Sequence, residues 1–286
     1  AEVVLTGRDF GAAYEAAHAH AEESGAVFVP PFEHPHIIAG QGTVGCEIAE
    51  QLDDFSTVVV PVGGGGLISG VAASLRALKK SVRIVGVQAT GAAAFPPSLE
   101  AGEPVTLERM STIADGIAAN SPGVLTFGHV KELVDEVVCV TDDQLAEATV
   151  FAAERMKLVL EPSGAAGIAA ALAGLGGLEP PVVVVLSGGN VDPLLLVTVL
   201  RFGLSSSGRY FAFKTRLADR PGELYRLIGL IAELGANLVG VGHAREGIDA
   251  HLGEVEVTLY VETRGIPHIE ELTARLGSEG YAVERL

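Results

Sequence analysis

The sequence predicts an α/β protein with a mainly parallel sheet, followed by a smaller α+β domain. Apolar runs rich in valine and isoleucine alternate with alanine-rich segments of helical period. Several of these runs are continuously apolar, which is typical of strands buried on both faces of a parallel sheet. After a small polar stretch at residues 204–208, the strand pattern changes to alternation. We therefore expect one domain over residues 1–204 and a second over residues 209–286.

Composition limits the class of protein and its partners. The 286 residues suffice for two domains, and 48% hydrophobic with 19% charged residues is typical of a globular enzyme. A net charge of −17 without a basic run disfavours nucleic acid or an anionic membrane as partner. Cys46 and Cys139, without a CxxC motif, favour a reducing, cytoplasmic location. We find no apolar run that would span a bilayer and no basic leader of a signal peptide.

Strands and helices are expected to alternate along the first domain. The apolar runs predict strands at residues 3–5, 27–29, 57–62, 82–87, 137–140 and 182–186. Helical periodicity predicts helices at residues 9–24, 37–52, 67–78, 142–159, 164–172 and 193–202. We interpret Asp9 as the N-cap of the first helix, and Asp142 with Asp143 as the cap of the fourth.

The second domain has a different order and pattern of strands and helices. Strands are predicted at residues 210–217, 237–243, 255–261 and 281–286. Helices are predicted at residues 221–234, with Pro221 at the first position, and at residues 267–276. This βαββαβ order is ferredoxin-like.

The strongest candidate binding motif is a run of four glycines between a buried strand and a helix. Four consecutive glycines cost about 0.5–1 kcal/mol each relative to alanine. Such a loop turns successive N–H groups inward as an anion nest, and the following helix adds its positive end. A tight turn alone would need only one or two glycines, so we expect a phosphate group as ligand. The residues expected around it are Gly63, Gly64, Gly65, Gly66 and Leu67.

Neither common nucleotide motif fits this loop. A P-loop requires Lys and Ser or Thr directly after its last glycine, and here Leu67 and Ile68 follow. A dinucleotide site requires spaced glycines and an acid at the end of the next strand, where this sequence has Gln88.

The loop instead resembles the phosphate-binding loop of fold-type II pyridoxal-phosphate (PLP) enzymes, the tryptophan synthase β-like class. The likeness is closest to the serine/threonine dehydratase family and extends to Phe202. Four further segments resemble that family in the same order: residues 38–43 (IAGQGT) with Glu47, 113–116 (IADG), 161–165 (EPSGA) and 186–190 (LSGGN). The resemblance implies PLP as the cofactor.

The resemblance also assigns residues around the PLP ring. It implies that Ser187 bonds the pyridine nitrogen, that Glu161 lies near the ring, and that Gly116 allows close backbone approach. A serine hydroxyl cannot protonate this nitrogen as an aspartate would, which suits β-elimination better than transamination. From the residues alone, Ser187 fits a simple strand-end turn equally well, and Glu161 is more often an ordinary acid at a helix C-terminus.

No divalent metal site is predicted. Several members of the family carry one, with an acid just after the strand that follows the tetraglycine loop. Here residues 88–94 (QATGAAA) contain no carboxylate, and a monovalent cation held by carbonyl oxygens stays open. His34 and His36 lie in a proline-broken loop without acid or cysteine partners, so we interpret them as surface or packing residues.

The lysine that forms the Schiff base with PLP is not found in this sequence. In the family it lies upstream of the tetraglycine loop in a Ser-x-Lys-x-Arg-Gly-Ala motif, and a Ser-Gly-Asn-His loop binds the substrate carboxylate. Neither motif occurs here, and no lysine has that context: Lys79, Lys80, Lys131, Lys157 and Lys214. We therefore expect a dehydratase without its N-terminal segment, with no catalytic lysine in this chain and no activity by itself.

The second domain resembles an ACT domain, an amino-acid-sensing module. The likeness rests on residues 219–224 (DRPGEL), residues 235–237 (GAN) and the βαββαβ order. It implies a homo-oligomer, dimer or tetramer, because ACT domains pair their sheets edge to edge. It also implies a branched-chain amino acid as effector, although a purely oligomerising module remains an alternative.

Taken together, the resemblances imply a threonine dehydratase. The reaction eliminates water from L-threonine, and the resulting enamine hydrolyses to 2-oxobutanoate and ammonia; L-serine would give pyruvate. A serine racemase or serine dehydratase is the enzymatic alternative, and a non-catalytic amino-acid sensor is the alternative from another class. The ACT-like segment and the missing metal carboxylates argue against a racemase.

Overall fold

The computed structural model describes residues 2–7, 10–79, 81–244 and 253–286. Its strands form two separate four-stranded sheets. Eight α-helices lie in the described residues before Gly208: α1 (Phe10–Ser24), α2 (Pro35–Gln51), α3 (Gly66–Leu78), α4 (Phe95–Ala101), α5 (Val124–Leu133), α6 (Asp142–Phe151), α7 (Ala166–Leu172) and α8 (Pro193–Ser206). The strands of the first sheet are β1 (Thr57–Pro61), β2 (Arg83–Ala89), β3 (Glu136–Val140) and β4 (Val182–Val184).

The first sheet is entirely parallel, with the order β3-β2-β1-β4. Every residue of β1 is buried, and its side chains alternate between two apolar clusters. Val58 and Val60 pack with residues of α3, whereas Val59 packs with residues of α7. Helices thus cover both faces of the sheet, as the continuously apolar strands predict. The α/β class with a parallel sheet is confirmed.

The parallel arrangement brings several loops to one edge of the sheet. The tetraglycine segment directly follows β1, Gln88 lies near the end of β2, and Ser187 comes shortly after β4. Because all four strands point the same way, these positions meet at the carboxyl edge. This edge carries the candidate site.

The expected strands at residues 3–5 and 27–29 do not form. Neither segment pairs with another strand in the described part of the chain, and Leu5 and Val27 are 92% and 88% exposed. A strand needs a neighbour for its backbone hydrogen bonds and a surface against which to bury its side chains. No described segment supplies either, so the predictions from local apolar pattern were wrong. The expected cap Asp9 lies outside the described residues.

The expected helix at residues 142–159 also differs. Helix α6 ends at Phe151, a π-helical turn follows at Ala152–Met156, and Lys157 adopts a left-handed conformation with φ of 61°. The N-cap is Thr141, whose hydroxyl accepts the N–H of Gln144, while the Gln144 side chain accepts the N–H of Thr141. Interpreting Asp142 and Asp143 as the cap was therefore wrong, because this reciprocal pair already satisfies the helix start.

Other boundaries shift by a few residues. Strand β4 ends at Val184, and α7 begins at Ala166, two residues after its expected start. Helix α8 continues to Ser206, so most of the polar stretch at residues 204–208 is the last helical turn and not an open linker.

The second sheet is antiparallel, with the order β6-β7-β5-β8. Its strands are β5 (Tyr210–Ala218), β6 (Asn237–Ala244), β7 (Glu254–Glu262) and β8 (Glu284–Arg285), and its helices are α9 (Glu223–Glu233) and α10 (Ile266–Ser278). The first and third strands are central, which confirms the ferredoxin-like topology. Pro221 precedes α9, whose N-cap is Gly222, and the last strand is shorter than expected.

None of the helices in the described part of the chain is long and apolar enough to cross a membrane.

Helices α2 and α3 cross at glycines. The segment at residues 38–43, which resembles the dehydratase family, lies on α2, and Gly42 sits against Gly70 of α3. A Cβ atom at Gly70 would lie 2.5 Å from the backbone nitrogen of Gly42 and closer still to the carbonyl oxygen of Ile38. Both neighbours are backbone atoms, so they cannot move aside as a flexible side chain would. The two backbones therefore touch, and α3 carries the tetraglycine loop at its start.

We expect Gly70→Ala to destabilise the protein by about 1–3 kcal/mol, because the added methyl group forces the two helices apart. Gly40→Ala is the matched control, since Gly40 is exposed on α2 and no atom lies within 4 Å of the place that its methyl group would occupy. The control should gain about 0.5–1 kcal/mol from helix propensity. Denaturant unfolding of both variants measures the difference. Equal stability of the two variants would contradict the backbone contact.

Candidate cofactor site

A cavity of about 250 Å³ opens at the carboxyl edge of the parallel sheet. The tetraglycine loop forms one side of it, and Ser187 lies at another. The remaining wall comes from the loop around Asp115 and Gly116 and from Phe32. The structure therefore brings seven expected residues to this cavity: Gly63, Gly64, Gly65, Gly66, Leu67, Gly116 and Ser187.

The loop presents free backbone donors. Within the described part of the chain, the amides of residues 63–67 donate to no protein acceptor. Helix α3 begins at Gly66, so its unpaired N–H groups and its positive end belong to the same surface. Buried backbone N–H groups are rarely left without partners. These amides fit an anion, and the phosphate of PLP is such a group.

Each glycine of the loop has its own steric reason. A Cβ atom at Gly63 would lie 3.0 Å from the Cα of Ile117, and one at Gly64 or Gly66 would overlap Phe32. Gly65 has φ of +95°, a conformation that side chains disfavour. The glycines thus serve close packing as well as exposure of the amides.

Two residues that the sequence did not single out support the loop. The buried hydroxyl of Thr126 donates to the carbonyl oxygen of Gly64 at 2.7 Å. The carboxylate of Glu33 accepts the N–H groups of Leu125 and Thr126 at 2.6 and 3.3 Å, at the start of α5. A carboxylate at a helix N-terminus is favourable. Glu33 thus fixes the first turn of α5, and Thr126 on that turn fixes the carbonyl group of Gly64.

Ser187 is exposed and lies in the loop after β4. Its strand is at the edge of the sheet and only partly buried, in contrast to the expected burial on both faces. Ser187 nevertheless lines the cavity that the tetraglycine loop forms. The position is compatible with a hydrogen bond to a ring nitrogen of a bound cofactor.

Glu161 lies behind the cavity wall, beside Gly116 and Gly188. A Cβ atom at Gly116 would lie 3.5 Å from Oε1 of Glu161 and 2.9 Å from the hydroxyl of Ser163. The backbone N–H of Glu161 donates to the carbonyl oxygen of Gly188. Burial raises the pKa of the Glu161 carboxyl, and the charge of Asp115 raises it further. Glu161 thus belongs to the packing of the cavity wall, and Gly116 allows a close approach by Ser163.

Gln88 is fully buried near the end of β2. Its Oε1 accepts the N–H of Phe95 at 2.9 Å, and its Nε2 has no partner. This hydrogen bond fixes the orientation of the amide, so the free atom is a donor. A donor cannot ligate a cation, and Gln88 does not replace a metal-binding carboxylate. No group of three or more potential metal ligands occurs among the described residues.

His34 and His36 form a helix start. Nδ1 of His34 accepts the N–H of His36 at 3.1 Å, and His34 is the N-cap of α2. Their rings contact each other edge to face. The interpretation as surface and packing residues is consistent with this geometry.

Comparison with known proteins identifies the class. Residues 1–188 match the family described as pyridoxal-phosphate dependent enzyme. An L-threonine ammonia-lyase from Thermotoga maritima is 44% identical over 283 residues, which cover 99% of this chain and 71% of that protein. The processed form of threonine deaminase isoform 2 from Solanum lycopersicum has a TM-score of 0.64 and 37% identity, covering 70% of this chain and 59% of that one. A serine racemase from maize has the same TM-score at 36% identity, covering 71% and 64%.

The parallel sheet and its cradle of free amides thus define a PLP-binding domain of fold type II. The chain belongs to the family of pyridoxal-phosphate dependent enzymes. Its predicted relationship with threonine dehydratases is confirmed, because the similarity to an L-threonine ammonia-lyase extends over nearly the whole chain. The chain spans 71% of that relative and 59–64% of the two proteins of known structure.

We expect the Glu161 carboxyl to titrate above 4.5, the ordinary pKa of a glutamate, because burial disfavours its charged form. Carboxyl NMR of labelled protein measures the midpoint. Asp115→Asn should lower the midpoint without restoring the ordinary value, since burial is the larger cause. A Glu161 midpoint at or below that ordinary value would contradict the packing described for the wall.

Proposed function

We propose that this chain provides the cofactor-binding part of a threonine ammonia-lyase, which converts L-threonine to 2-oxobutanoate and ammonia and L-serine to pyruvate. One observation carries the proposal: residues 63–67, whose amides donate to no acceptor in the described part of the chain, line a cavity together with Ser187. The names of the relatives support the choice of threonine as substrate.

The tetraglycine loop would hold the phosphate through its backbone amides and the start of α3. Such contacts depend on no side chain and need no counter-charge, because the helix end already carries partial positive charge. The described cavity contains no lysine or arginine among its lining residues. The backbone therefore carries the recognition of the phosphate.

Ser187 would orient the ring through its hydroxyl. The bound PLP would withdraw electrons from the substrate, and a neutral hydroxyl would leave this withdrawal weaker than a carboxylate partner would. This partner suits loss of a β-substituent, as in threonine dehydration. Glu161 and Gly116 would shape the wall beside the ring.

The chain's own residues would not complete the reaction. The Ser-x-Lys-x-Arg-Gly-Ala motif does not occur among its 286 residues. We infer that the described cavity works together with a lysine-bearing segment like that of the family, and that the chain by itself is inactive. Its place would be the cytoplasm, which is supported by the free cysteines Cys46 and Cys139.

A serine racemase is the competing function, since the maize enzyme has a similar structure. The sequence of residues 88–94 favours the lyase, because it contains no carboxylate that would hold a divalent cation. A monovalent cation would have to be held by carbonyl oxygens elsewhere.

We expect the complete natural enzyme to release 2-oxobutanoate and ammonia in equal amounts from L-threonine with PLP present, and the 286-residue chain alone to release neither. Gly65→Asp should raise the PLP concentration for half-maximal activity by at least about tenfold, or ~1.4 kcal/mol, because the new side chain would press on Phe95 and Thr126 and displace the loop amides from the phosphate. A coupled dehydrogenase assay measures 2-oxobutanoate. Formation of D-serine from L-serine as the main reaction would support the racemase instead.

Gly174→Asp is the matched control for that variant. Gly174 also has a positive φ, and it has no neighbour that a Cβ would meet. It does not line the cavity, so its PLP requirement should equal that of the wild type. Competition by inorganic phosphate gives a second measurement that does not depend on turnover. Phosphate that fails to compete with PLP in the wild type would contradict phosphate binding at this loop.

We further propose that the C-terminal module is an ACT domain that binds a branched-chain amino acid. A cavity of about 420 Å³ lies where β5 leads into α9. Arg220 lines it together with acidic Asp219 and Glu223, and Leu217 and Val255 supply apolar surface. Groups of both signs suit the two charged ends of an amino acid, and the apolar residues suit its side chain.

The same module supports association of chains. Strand β6 is at the edge of the antiparallel sheet, and Val239 and Val241 on it are 53% and 39% exposed. An exposed edge strand with apolar side chains favours pairing with another strand. We propose a homo-oligomer, a dimer or a tetramer, formed through this edge.

We expect isoleucine or valine to bind the whole chain, with heat measurable by calorimetry. Arg220→Gln should weaken this binding by about tenfold, since it removes a charged hydrogen bond to the carboxylate. Arg216→Gln is the control, because Arg216 is exposed on β5 and does not line the cavity. If neither amino acid binds the wild-type chain, the module has only a structural role.

A further inference from the structure

The carboxylate of Asp142 holds the segment that leads into the cavity wall. Its Oδ1 accepts the hydroxyl hydrogen of Thr112 at 2.6 Å, and its Oδ2 accepts the N–H of Ile113 at 3.2 Å. The Thr112 oxygen in turn accepts the N–H of Ala114 at 3.1 Å. Three consecutive residues are thereby tied to one carboxylate, directly or through one hydroxyl.

The tied segment carries the wall itself. Asp115, Gly116 and Ile117 follow immediately and line the cavity. Ile117 is buried, and its Cα lies 3.0 Å from the place that a Cβ at Gly63 would occupy. The segment therefore touches the tetraglycine loop. A shift of residues 112–114 would move the wall beside the ring.

Capping does not explain Asp142. Thr141 and Gln144 already satisfy the start of α6 through their reciprocal hydrogen bonds. Asp143 is a neighbouring acid in the same first turn and is exposed. Both acids are favourable at the positive end of a helix, but only the Asp142 carboxylate contacts the segment at residues 112–114 among the hydrogen bonds of the described residues.

We propose that Asp142 is a positioning residue of the cofactor site, which fixes the backbone of residues 113–117 through Thr112 and Ile113. The inference rests on the proposed function, in which this cavity binds PLP. Two parts of the site then have different roles: Asp142 fixes the wall beside the ring, and the tetraglycine loop binds the phosphate. Loss of these hydrogen bonds should therefore raise the dissociation constant of PLP more than that of inorganic phosphate.

The test uses the whole chain and four variants. Asp142→Ala and Thr112→Val remove the tether, while Thr112→Ser retains the hydroxyl. Asp143→Asn is the matched control, because it removes one charge from the same helical turn without touching the segment. Hydrogen exchange reports on the amides of Ile113 and Ala114. Calorimetry gives the dissociation constants of PLP and of inorganic phosphate.

We expect Asp142→Ala to speed exchange at the Ile113 amide by about tenfold, because this amide loses its charged acceptor, and Thr112→Val to speed exchange at the Ala114 amide, which loses its hydroxyl acceptor. Both should raise the PLP dissociation constant several-fold and leave that of inorganic phosphate within about twofold. Thr112→Ser and Asp143→Asn should resemble the wild type. If Asp142 had only a structural role, its loss would lower the thermal stability and change the dissociation constants of both ligands equally.

Two failures can be told apart. If Asp142→Ala matches Asp143→Asn in exchange and in PLP affinity, the positioning role is wrong while the cofactor site stands. If the wild-type chain shows no saturable binding of PLP or phosphate, the proposed function of the cavity is wrong, and the role of Asp142 toward the cofactor is overturned with it.

Discussion

The backbone amides of residues 63–67 must remain without protein acceptors if this loop is to hold an anion, and much of the domain is arranged around that requirement. Strand β1 ends immediately before the loop, and α3 starts within it. Neighbouring residues press so closely on the glycines that side chains would not fit. Packing by these neighbours thus fixes the conformation of the loop, while its backbone N–H donors keep no protein acceptor.

Support for the loop comes from residues far away in the sequence. Glu33 orders the start of α5, and Thr126 on that helix binds the carbonyl oxygen of Gly64. Phe32, next to Glu33, packs against Gly64 and Gly66. One short segment before α2 therefore contributes both a charged and an apolar contact to the same site. The close crossing of α2 and α3 at Gly42 and Gly70 keeps this arrangement compact.

Helix α6 connects the site with the C-terminal module. Its first residue, Asp142, binds the segment that forms the cavity wall. Beyond its last turn, Glu154 forms an ion pair with Arg209, which directly precedes β5 of the module. Helix α8 packs along α6 and also leads into β5. Helix α6 and the turn that follows it thus contact both the cavity wall and the residue that precedes β5.

The class of fold and the kind of ligand follow from local patterns in the amino-acid sequence. Continuous apolar runs predicted the parallel sheet, because a strand buried on both faces is apolar at every position. Alternating runs predicted the ferredoxin-like module, because a strand buried on one face is apolar at every second position. Contiguous glycines after a buried strand likewise predicted an anion site, since few other uses need so many bare amides.

The side chains that support that site became known only from the folded chain. Thr126 lies 62 residues from Gly64, and Glu33 lies 92 residues from Leu125, so no local pattern connects them. Asp142 was misassigned as a cap for the same reason, because its partner Thr112 is 30 residues away. The segments at residues 3–5 and 27–29 show the converse: an apolar run becomes a strand only when another strand accepts its backbone hydrogen bonds.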